Sequence, residues 1–132
     1  MNEHVLVIED NPDNRKLVTR LLRSEGYHCE GVDTAEEGLA RLADGRFDLV
    51  LMDISLPRMS GKDATRYMRQ DPRFADLPIL AVSAHAINTE REAILQSGVS
   101  GLLTKPIDAD ELTAAIRALL RERSPNGEAV GR

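Results

Sequence analysis

The sequence predicts an α/β protein built on a parallel, five-stranded sheet. Short apolar runs alternate along the chain with segments in which apolar residues recur at helical spacing. Most of these runs are apolar at every position, as strands are when helices cover both faces of a sheet. Strands that alternate with helices favour parallel β–α units over hairpins. The 132 residues suffice for one such domain with a substantial core.

The first strand and helix have clear boundaries. The run Val5 to Ile8 predicts a buried strand, and Asn11 is suited to cap a helix whose first position is Pro12. Gly26 suits the far end of that helix. The apolar face predicted for the helix consists of Leu17, Val18, Leu21 and Leu22. Residues 27–32 form a weaker, mixed strand, which we expect near an edge of the sheet.

The second and third units follow the same plan. Thr34 and Glu37 match a capping box for the second helix, which Gly45 ends. Residues 47–52 predict the third strand. A loop then leads to a third helix over about residues 62–70.

The last two units complete the pattern. Residues 79–82 predict the fourth strand, a helix follows over about 86–96, and residues 102–104 predict the fifth strand. Asp108 and Glu111 start the final helix. Its apolar positions are Leu112, Ala115, Ile116, Leu119 and Leu120. The expected organisation is therefore one domain over residues 1–122 and a flexible polar tail over 123–132, with no room for an output domain after residue 122.

Composition excludes several classes of partner. The formal net charge is −5 and aromatic residues make up only 3%, so the chain lacks the basic field and the stacking rings of nucleic-acid binders. It has no apolar run long enough to cross a bilayer and no signal peptide at its start. Cys29 stands alone, which excludes an internal disulfide and fits a small buried strand residue in a reducing cytoplasm. We therefore expect a cytoplasmic protein with no nucleic-acid or membrane partner.

Polar side chains follow four of the five predicted strands. Glu9 and Asp10 follow the first strand, Asp53 the third, Ser83 the fourth and Lys105 the fifth. Because the carboxyl ends of parallel strands share one edge of the sheet, these groups should face one small space. Each residue taken alone fits an ordinary role, such as a helix-start acid, a cap or a surface lysine. The combination at one edge favours a functional site.

The chemistry of this set favours a divalent cation. Three carboxylates repel one another, and Lys105 offsets only one of their charges. Oxygen ligands without His or Cys favour Mg²⁺, which leaves room for a phosphate oxygen. Asp53 is then a plausible nucleophile towards phosphorus, with the metal, Lys105 and Ser83 each able to bind one phosphoryl oxygen.

The motifs VLVIEDN, LVLMDISLPRMSG and LLTKPI resemble the receiver domain of bacterial two-component response regulators, the CheY-like superfamily. The resemblance covers residues 4 to about 122. It implies a flavodoxin-like, doubly wound (βα)5 fold with strand order 2-1-3-4-5. The motifs are most like those of single-domain regulators of the DivK type or of hybrid-kinase receivers.

The resemblance also implies roles for the strand-end residues. Asp53 matches the phosphoacceptor and, with Asp10 and the backbone carbonyl of Ser55, a ligand of Mg²⁺. Glu9 matches the acid that holds metal-bound water. Ser55, together with His85, is also placed where it can tune the lifetime of the phosphate.

A second group of residues is implied to sense the phosphate. Lys105 and Ser83 match the groups that contact phosphoryl oxygens, and Lys105–Pro106 matches a cis peptide bond. Ser83 is also a switch position, where a hydroxyl moves towards the phosphate. Leu102 stands at the second switch position in place of the family's usual Tyr or Phe, so an inward-swinging aromatic ring cannot report phosphorylation here.

The expected function is that of a stand-alone response regulator. Asp53 accepts phosphate from a histidine kinase or a phosphotransfer protein, and the phosphorylated chain signals by binding a downstream effector protein or kinase. It is not an enzyme beyond assisting its own Mg²⁺-dependent phosphorylation and dephosphorylation. One alternative is a receiver excised from a hybrid histidine kinase. An aspartyl-phosphate phosphatase is disfavoured because Ser55 stands where those enzymes need a second acid, and flavin binding is disfavoured because Glu9 and Asp10 repel an anion.

Other polar residues receive simpler interpretations. The three histidines show no metal-ligand spacing: His4, His28 and His85. The basic residues of the first helix are expected to form a solvated face: Arg15, Lys16, Arg20 and Arg23. A docking role for this helix is the alternative, since the family presents it to phosphodonor helices.

Overall fold

The five strands form one parallel sheet in the order β2-β1-β3-β4-β5. The computed structural model describes residues 3–84 and 88–123. The strands are β1 (His4–Ile8), β2 (His28–Val32), β3 (Leu49–Asp53), β4 (Ile79–Ser83) and β5 (Gly101–Thr104). The helices are α1 (Pro12–Ser24), α2 (Ala35–Asp44), α3 (Gly61–Arg69), α4 (Asn88–Gln96) and α5 (Ala109–Arg123), with a 3₁₀ turn at Pro72–Phe74. The predicted flavodoxin-like fold and its strand order are confirmed.

The core lies in two layers because strand side chains alternate between the faces of the sheet. On one face of the sheet, Leu6 and Ile8 of β1 pack with residues of α2 and α3, such as Leu42 and Met68. On the other face, Val5 packs with residues of α1 and α5. Helices therefore cover both faces of the central strands, which explains why these strands are apolar throughout.

The helix boundaries form where the local sequence predicts them. The Asn11 side chain accepts a hydrogen bond from the Asn14 amide (3.0 Å), and Thr34 accepts one from the Glu37 amide (3.1 Å). Gly26 follows α1 with a φ of 96°, a left-handed conformation that glycine adopts without strain.

Strand boundaries shift by one or two residues from the predicted ones. β3 begins at Leu49, because the ladder with β1 starts at the Val5–Leu49 pair and leaves residue 47 outside it. Its pairing with β4 extends as far as Asp53, so the acid is the last residue of the strand. The 3₁₀ turn was not predicted. The predicted start of the fourth helix at residue 86, and the tail from residue 124, lie outside the described residues, and the domain boundary at residue 122 stays a prediction.

The prediction that Leu17 belongs to the buried face of α1 is wrong. Its side chain is 62% exposed, whereas Val18 and Leu22 are almost fully buried. The buried stripe is centred on those two residues, which leaves Leu17 at its outer margin. Cys29 is half-buried, and its thiol donates a hydrogen bond to the Thr19 carbonyl oxygen (3.3 Å). None of the helices in residues 3–84 and 88–123 combines the length and apolarity that crossing a membrane requires.

The start of α3 lies directly against the end of β3. The Gly61 amide donates to the Ile54 carbonyl oxygen at 3.0 Å. A Cβ atom on Gly61 would lie 2.7 Å from the Asp53 carbonyl oxygen and 2.8 Å from the Ile54 Cα. Since both of these are backbone atoms, the chain cannot relieve the clash by turning a side chain.

We therefore expect Gly61→Ala to destabilise the fold by about 1–3 kcal/mol, because it overpacks backbone against backbone. Urea unfolding measures this loss. Ala40→Ser, on the exposed side of α2, is the control and should leave the free energy of unfolding within about 0.5 kcal/mol of the wild type. Equal stability of the two variants would contradict the close packing described here.

Candidate functional site

Four strand ends bring the predicted site residues to one edge of the sheet. Glu9 and Asp10 follow β1, and Asp53 ends the neighbouring strand β3, in register with Val82 of β4. Ser83 ends β4, and Lys105 follows β5. The edge is the carboxyl end of the sheet, where ligand sites of open α/β folds lie.

The acidic side chains converge on one another and on a lysine. One carboxylate oxygen each from Glu9, Asp10 and Asp53 lies within 4.8 Å of the others. The Lys105 Nζ lies 3.0 Å from Asp53 Oδ2 and 3.5 Å from Glu9 Oε1. Glu9 and Asp53 are only 5% and 4% exposed, while Asp10 lies at the surface. Two of the three acids are thus buried, and the cluster is open to solvent at Asp10.

Backbone groups hold the two buried carboxylates in place. The Asn11 amide donates to Glu9 Oε2 at 3.1 Å, and the Ser55 amide donates to Asp53 Oδ1 at 3.0 Å. Each amide lies two residues beyond the acid, in the turn that follows the strand. The carboxylates are therefore oriented by the local backbone as well as by Lys105.

The β4 and β5 ends are tied to each other beside the acids. The Lys105 amide donates to the Ser83 carbonyl oxygen at 2.8 Å, and Ser83 is 1% exposed. The Lys105–Pro106 peptide bond is cis. Leu102 is partly buried and packs against Ile54, Ala81 and Ile94.

Burial and charge shift the titration of the site. Burial raises the pKa of the Glu9 carboxyl to about 7, and the negative charge of Asp53 acts in the same direction. The Asn11 amide and the Lys105 ammonium oppose this shift without reversing it. Burial lowers the pKa of Lys105, but its hydrogen bond to Asp53 and the charges of both acids outweigh burial, so the net shift is upwards. Lys105 therefore stays protonated beside the acids.

The structure corrects the expectation for Arg15 and places two of the three histidines away from the site. Arg15, assigned to a solvated helix face, instead donates from Nη1 to the Glu9 carbonyl oxygen at 2.7 Å. No sequence motif marked this contact, which depends on how α1 turns back over the end of β1. The rings of His4 and His28 stack at 4.8 Å at the opposite edge of the sheet. His85 lies outside the described residues, and ligation by the Ser55 carbonyl stays a prediction.

Comparison with known proteins identifies the family. The family model for the response regulator receiver domain matches residues 5–117. The chain is a response regulator receiver domain. The polar-differentiation response regulator DivK of Brucella anthropi is 33% identical over 120 residues, which cover 91% of this receiver domain and 98% of DivK.

Receiver domains of kinases are similar as well. The signal transduction histidine-protein kinase BarA of Escherichia coli K12 is 38% identical over 108 residues, which are 82% of this chain and 12% of BarA. The receiver domain of the sensor histidine kinase PA1611 from Pseudomonas aeruginosa PAO1 is 32% identical, with a TM-score of 0.85 over 91% of this chain and 98% of that one. That structure has a magnesium ion coordinated in its active-site cleft.

The raised pKa of Glu9 predicts a pH-dependent stability in magnesium-free buffer. The ordinary value is 4.5 and the folded value about 7, so the folded state holds a proton that the unfolded chain releases between these values. The free energy of unfolding should therefore fall as the pH rises through this window. Glu9→Gln should remove about 1–3 kcal/mol of the fall.

Urea unfolding with a chelator present, at pH 5 and pH 8, measures this change. Glu92→Gln, at an exposed position on α4, is the matched control and should keep the wild-type pH dependence. A wild-type slope in the Glu9 variant would show that another group titrates in this range.

Proposed function

We propose that this receiver domain is a stand-alone response regulator that accepts phosphate on Asp53 and signals by binding another protein. The observation that carries the proposal is the contact of Lys105 with Asp53 inside a cluster of three carboxylates. The 33% identity to the response regulator DivK, over 98% of the length of DivK, supports a response-regulator role. The lone Cys29, which excludes an internal disulfide, fits the proposed cytoplasmic setting.

The acid cluster has the donor set for Mg²⁺. Its ligand atoms are carboxylate oxygens of Glu9, Asp10 and Asp53, within 4.8 Å of one another. Octahedral Mg²⁺ at its usual bond length of about 2.1 Å places neighbouring ligand oxygens about 3 Å apart, so modest side-chain movement suffices. Asp10 and Asp53 would bind the ion directly, with the Ser55 carbonyl, and Glu9 would hold a bound water. The ion supplies positive charge that neutralises phosphoryl oxygens.

The arrangement of the described side chains supports one chemical step. An oxygen of the Asp53 carboxylate attacks phosphorus, the P–N bond of a phosphohistidine breaks, and the electron pair returns to the imidazole nitrogen. Lys105, already 3.0 Å from Asp53, is placed to bind one oxygen of the transferred group. Burial excludes bulk water and strengthens this attraction. The chain thus assists its own phosphorylation. In dephosphorylation, water attacks phosphorus, the bond to the Asp53 oxygen breaks, and the Asp53 carboxylate leaves with the electron pair.

Readout of the phosphate begins at the end of β4. The Ser83 hydroxyl is proposed to bind a phosphoryl oxygen, which draws the end of β4 towards Asp53 and shifts the face formed by α4, β5 and α5 between two states. Leu102 packs against the cluster that includes Ile94 of α4. A change in this aliphatic packing, rather than an aromatic swing, would carry the signal to a downstream effector or kinase.

Phosphorylation at Asp53 is directly testable. With a small-molecule acyl phosphate and Mg²⁺, the wild type should become labelled, and Asp53→Asn should not, because an amide lacks the nucleophilic oxygen. Intact-mass spectrometry measures the label. Asp63→Asn, at an exposed position on α3, is the control and should label like the wild type. Wild-type labelling of the Asp53 variant would move the acceptor elsewhere and refute the proposed role.

The phosphodonor protein is proposed to dock on α1 beside the site. Exposed Leu17 lines a groove of about 430 Å³ that reaches Lys105, Pro106 and Ile107. Apolar grooves at a protein surface mark interaction sites, and this groove lies next to the reactive group. The proposed partner is the phosphohistidine helix of a histidine kinase or of a phosphotransfer protein.

Leu17→Asp should slow phosphotransfer from a phosphorylated histidine phosphotransfer domain about tenfold or more, because it removes an apolar anchor and adds a charge. Labelling by the small-molecule donor should not change, since the acid cluster is intact. Tyr67→Asp on α3 is the matched control, because Tyr67 is 61% exposed, close to the 62% of Leu17. Equal slowing in both variants, or none in either, would place the docking surface elsewhere.

A second candidate is a receiver that belongs to a hybrid histidine kinase. The 38% identity to BarA favours it, although the chain spans only 12% of that protein. In that setting Asp53 passes phosphate on to a phosphotransfer protein instead of holding it for an effector. A pull-down with and without beryllofluoride separates the two: a partner captured only in the activated state favours the stand-alone regulator.

A further inference from the structure

Arg15 makes a backbone contact next to the two acids at the end of β1. Its Nη1 donates a hydrogen bond to the Glu9 carbonyl oxygen at 2.7 Å, and the side chain is half-buried. On the other side of the same residue, the Glu9 amide donates to the Val32 carbonyl oxygen at 3.0 Å. Arg15 thus satisfies a carbonyl that lies just beyond the last residue of the strand.

Gly31 makes room for the Arg15 side chain. A Cβ atom on Gly31 would lie 3.0 Å from Arg15 Cγ and 3.1 Å from its Cδ. The backbone of Gly31 does not have a positive φ, so a left-handed conformation does not explain the glycine. Close approach of the Arg15 stem to β2 is the structural reason for it.

The peptide that Arg15 holds joins two residues of the acid cluster. Glu9 and Asp10 lie on either side of one peptide plane, so fixing its carbonyl restricts the direction of both side chains. Glu9 has further contacts through Asn11 and Lys105. The Asp10 carboxylate makes no hydrogen bond or ion pair with the rest of residues 3–84 and 88–122. Its direction therefore depends on the backbone, and hence on the Arg15 contact.

We propose that Arg15, seated over Gly31, is a positioning residue that orients Glu9 and Asp10 for the divalent cation. The inference rests on the proposed function, because it assumes that the acid cluster binds Mg²⁺. It adds two residues that are not ligands of the ion. Arg15 supplies the hydrogen bond to the Glu9 carbonyl oxygen, and Gly31 leaves space for the Arg15 side chain. Groups of this kind commonly change metal affinity by about tenfold or more.

Charge and position predict opposite effects, which makes the inference testable. Arg15 is a cation close to the acid cluster, so its charge alone repels Mg²⁺, and removing it should tighten binding. Loss of the hydrogen bond to the Glu9 carbonyl should weaken binding. The sign of the change in affinity therefore identifies the dominant role of Arg15.

The experiment measures the Mg²⁺ dissociation constant by calorimetry and by the NMR shift of the Asn11 amide. Arg15→Met, which keeps the length of the stem, should weaken binding about tenfold, and Gly31→Ala should weaken it in the same direction by displacing Arg15. The double variant should bind no more weakly than the weaker single variant, since both changes remove one contact. Arg15→Lys, which keeps a hydrogen-bond donor, should bind Mg²⁺ more tightly than Arg15→Met and more weakly than the wild type.

Arg20→Met, at an exposed position on the same helix, is the control and should bind Mg²⁺ as the wild type does or slightly more tightly. Urea unfolding without Mg²⁺ separates positioning from general destabilisation, because a merely structural role lowers stability and leaves the affinity of the folded protein unchanged. Unchanged or tighter binding by Arg15→Met, with normal binding by the wild type, would overturn the inference alone. Absence of Mg²⁺ binding in the wild type would overturn the proposed function, and this inference with it.

Discussion

Two almost fully buried carboxylates, Glu9 and Asp53, share one edge of the sheet, and the ammonium of Lys105 lies against both. Two negative charges taken out of water repel each other, and each loses hydration. Lys105 and two backbone amides, those of Asn11 and Ser55, compensate part of this cost. Asp10 adds a third negative charge at the solvent side. The arrangement is therefore a site that favours a cation. The negative charges of its carboxylates lower the stability of the fold by repelling one another, and the same charges attract the cation.

The parallel sheet is the device that assembles this site. Its strands all end at one edge, and the order β2-β1-β3-β4-β5 places β1 beside β3. Acids that are 44 residues apart in the chain, Glu9 and Asp53, consequently become neighbours. Gly61 lets α3 begin directly against the end of β3, and the Ser55 amide in the connection between them donates to the Asp53 carboxylate.

Much of the fold and the acid cluster could be predicted from particular residues. Continuous apolar runs identify the buried strands, and Asn11, Thr34 and Gly26 mark helix ends through local hydrogen bonds and backbone angles. Strand ends were less predictable, because pairing with a neighbour sets where a ladder begins. The sequence predicts residues 47 and 48 as strand, for example, but they precede Leu49, where the β1–β3 ladder begins.

The sequence by itself determined the alternation of strands and helices, the helix caps and the set of acids at strand ends, because these depend on nearest neighbours along the chain and on the shared direction of parallel strands. Only the tertiary structure decided which side chains of α1 are exposed to solvent and which contact the rest of the protein. Leu17 has the helical spacing of a core residue, yet its side chain is exposed. Arg15 belongs to a group of basic residues typical of a solvated face, yet it donates a hydrogen bond to the Glu9 carbonyl oxygen. The physical reason is that the roll of α1 on the sheet depends on packing against distant strands, on Gly31 of β2 among others, which no local pattern encodes.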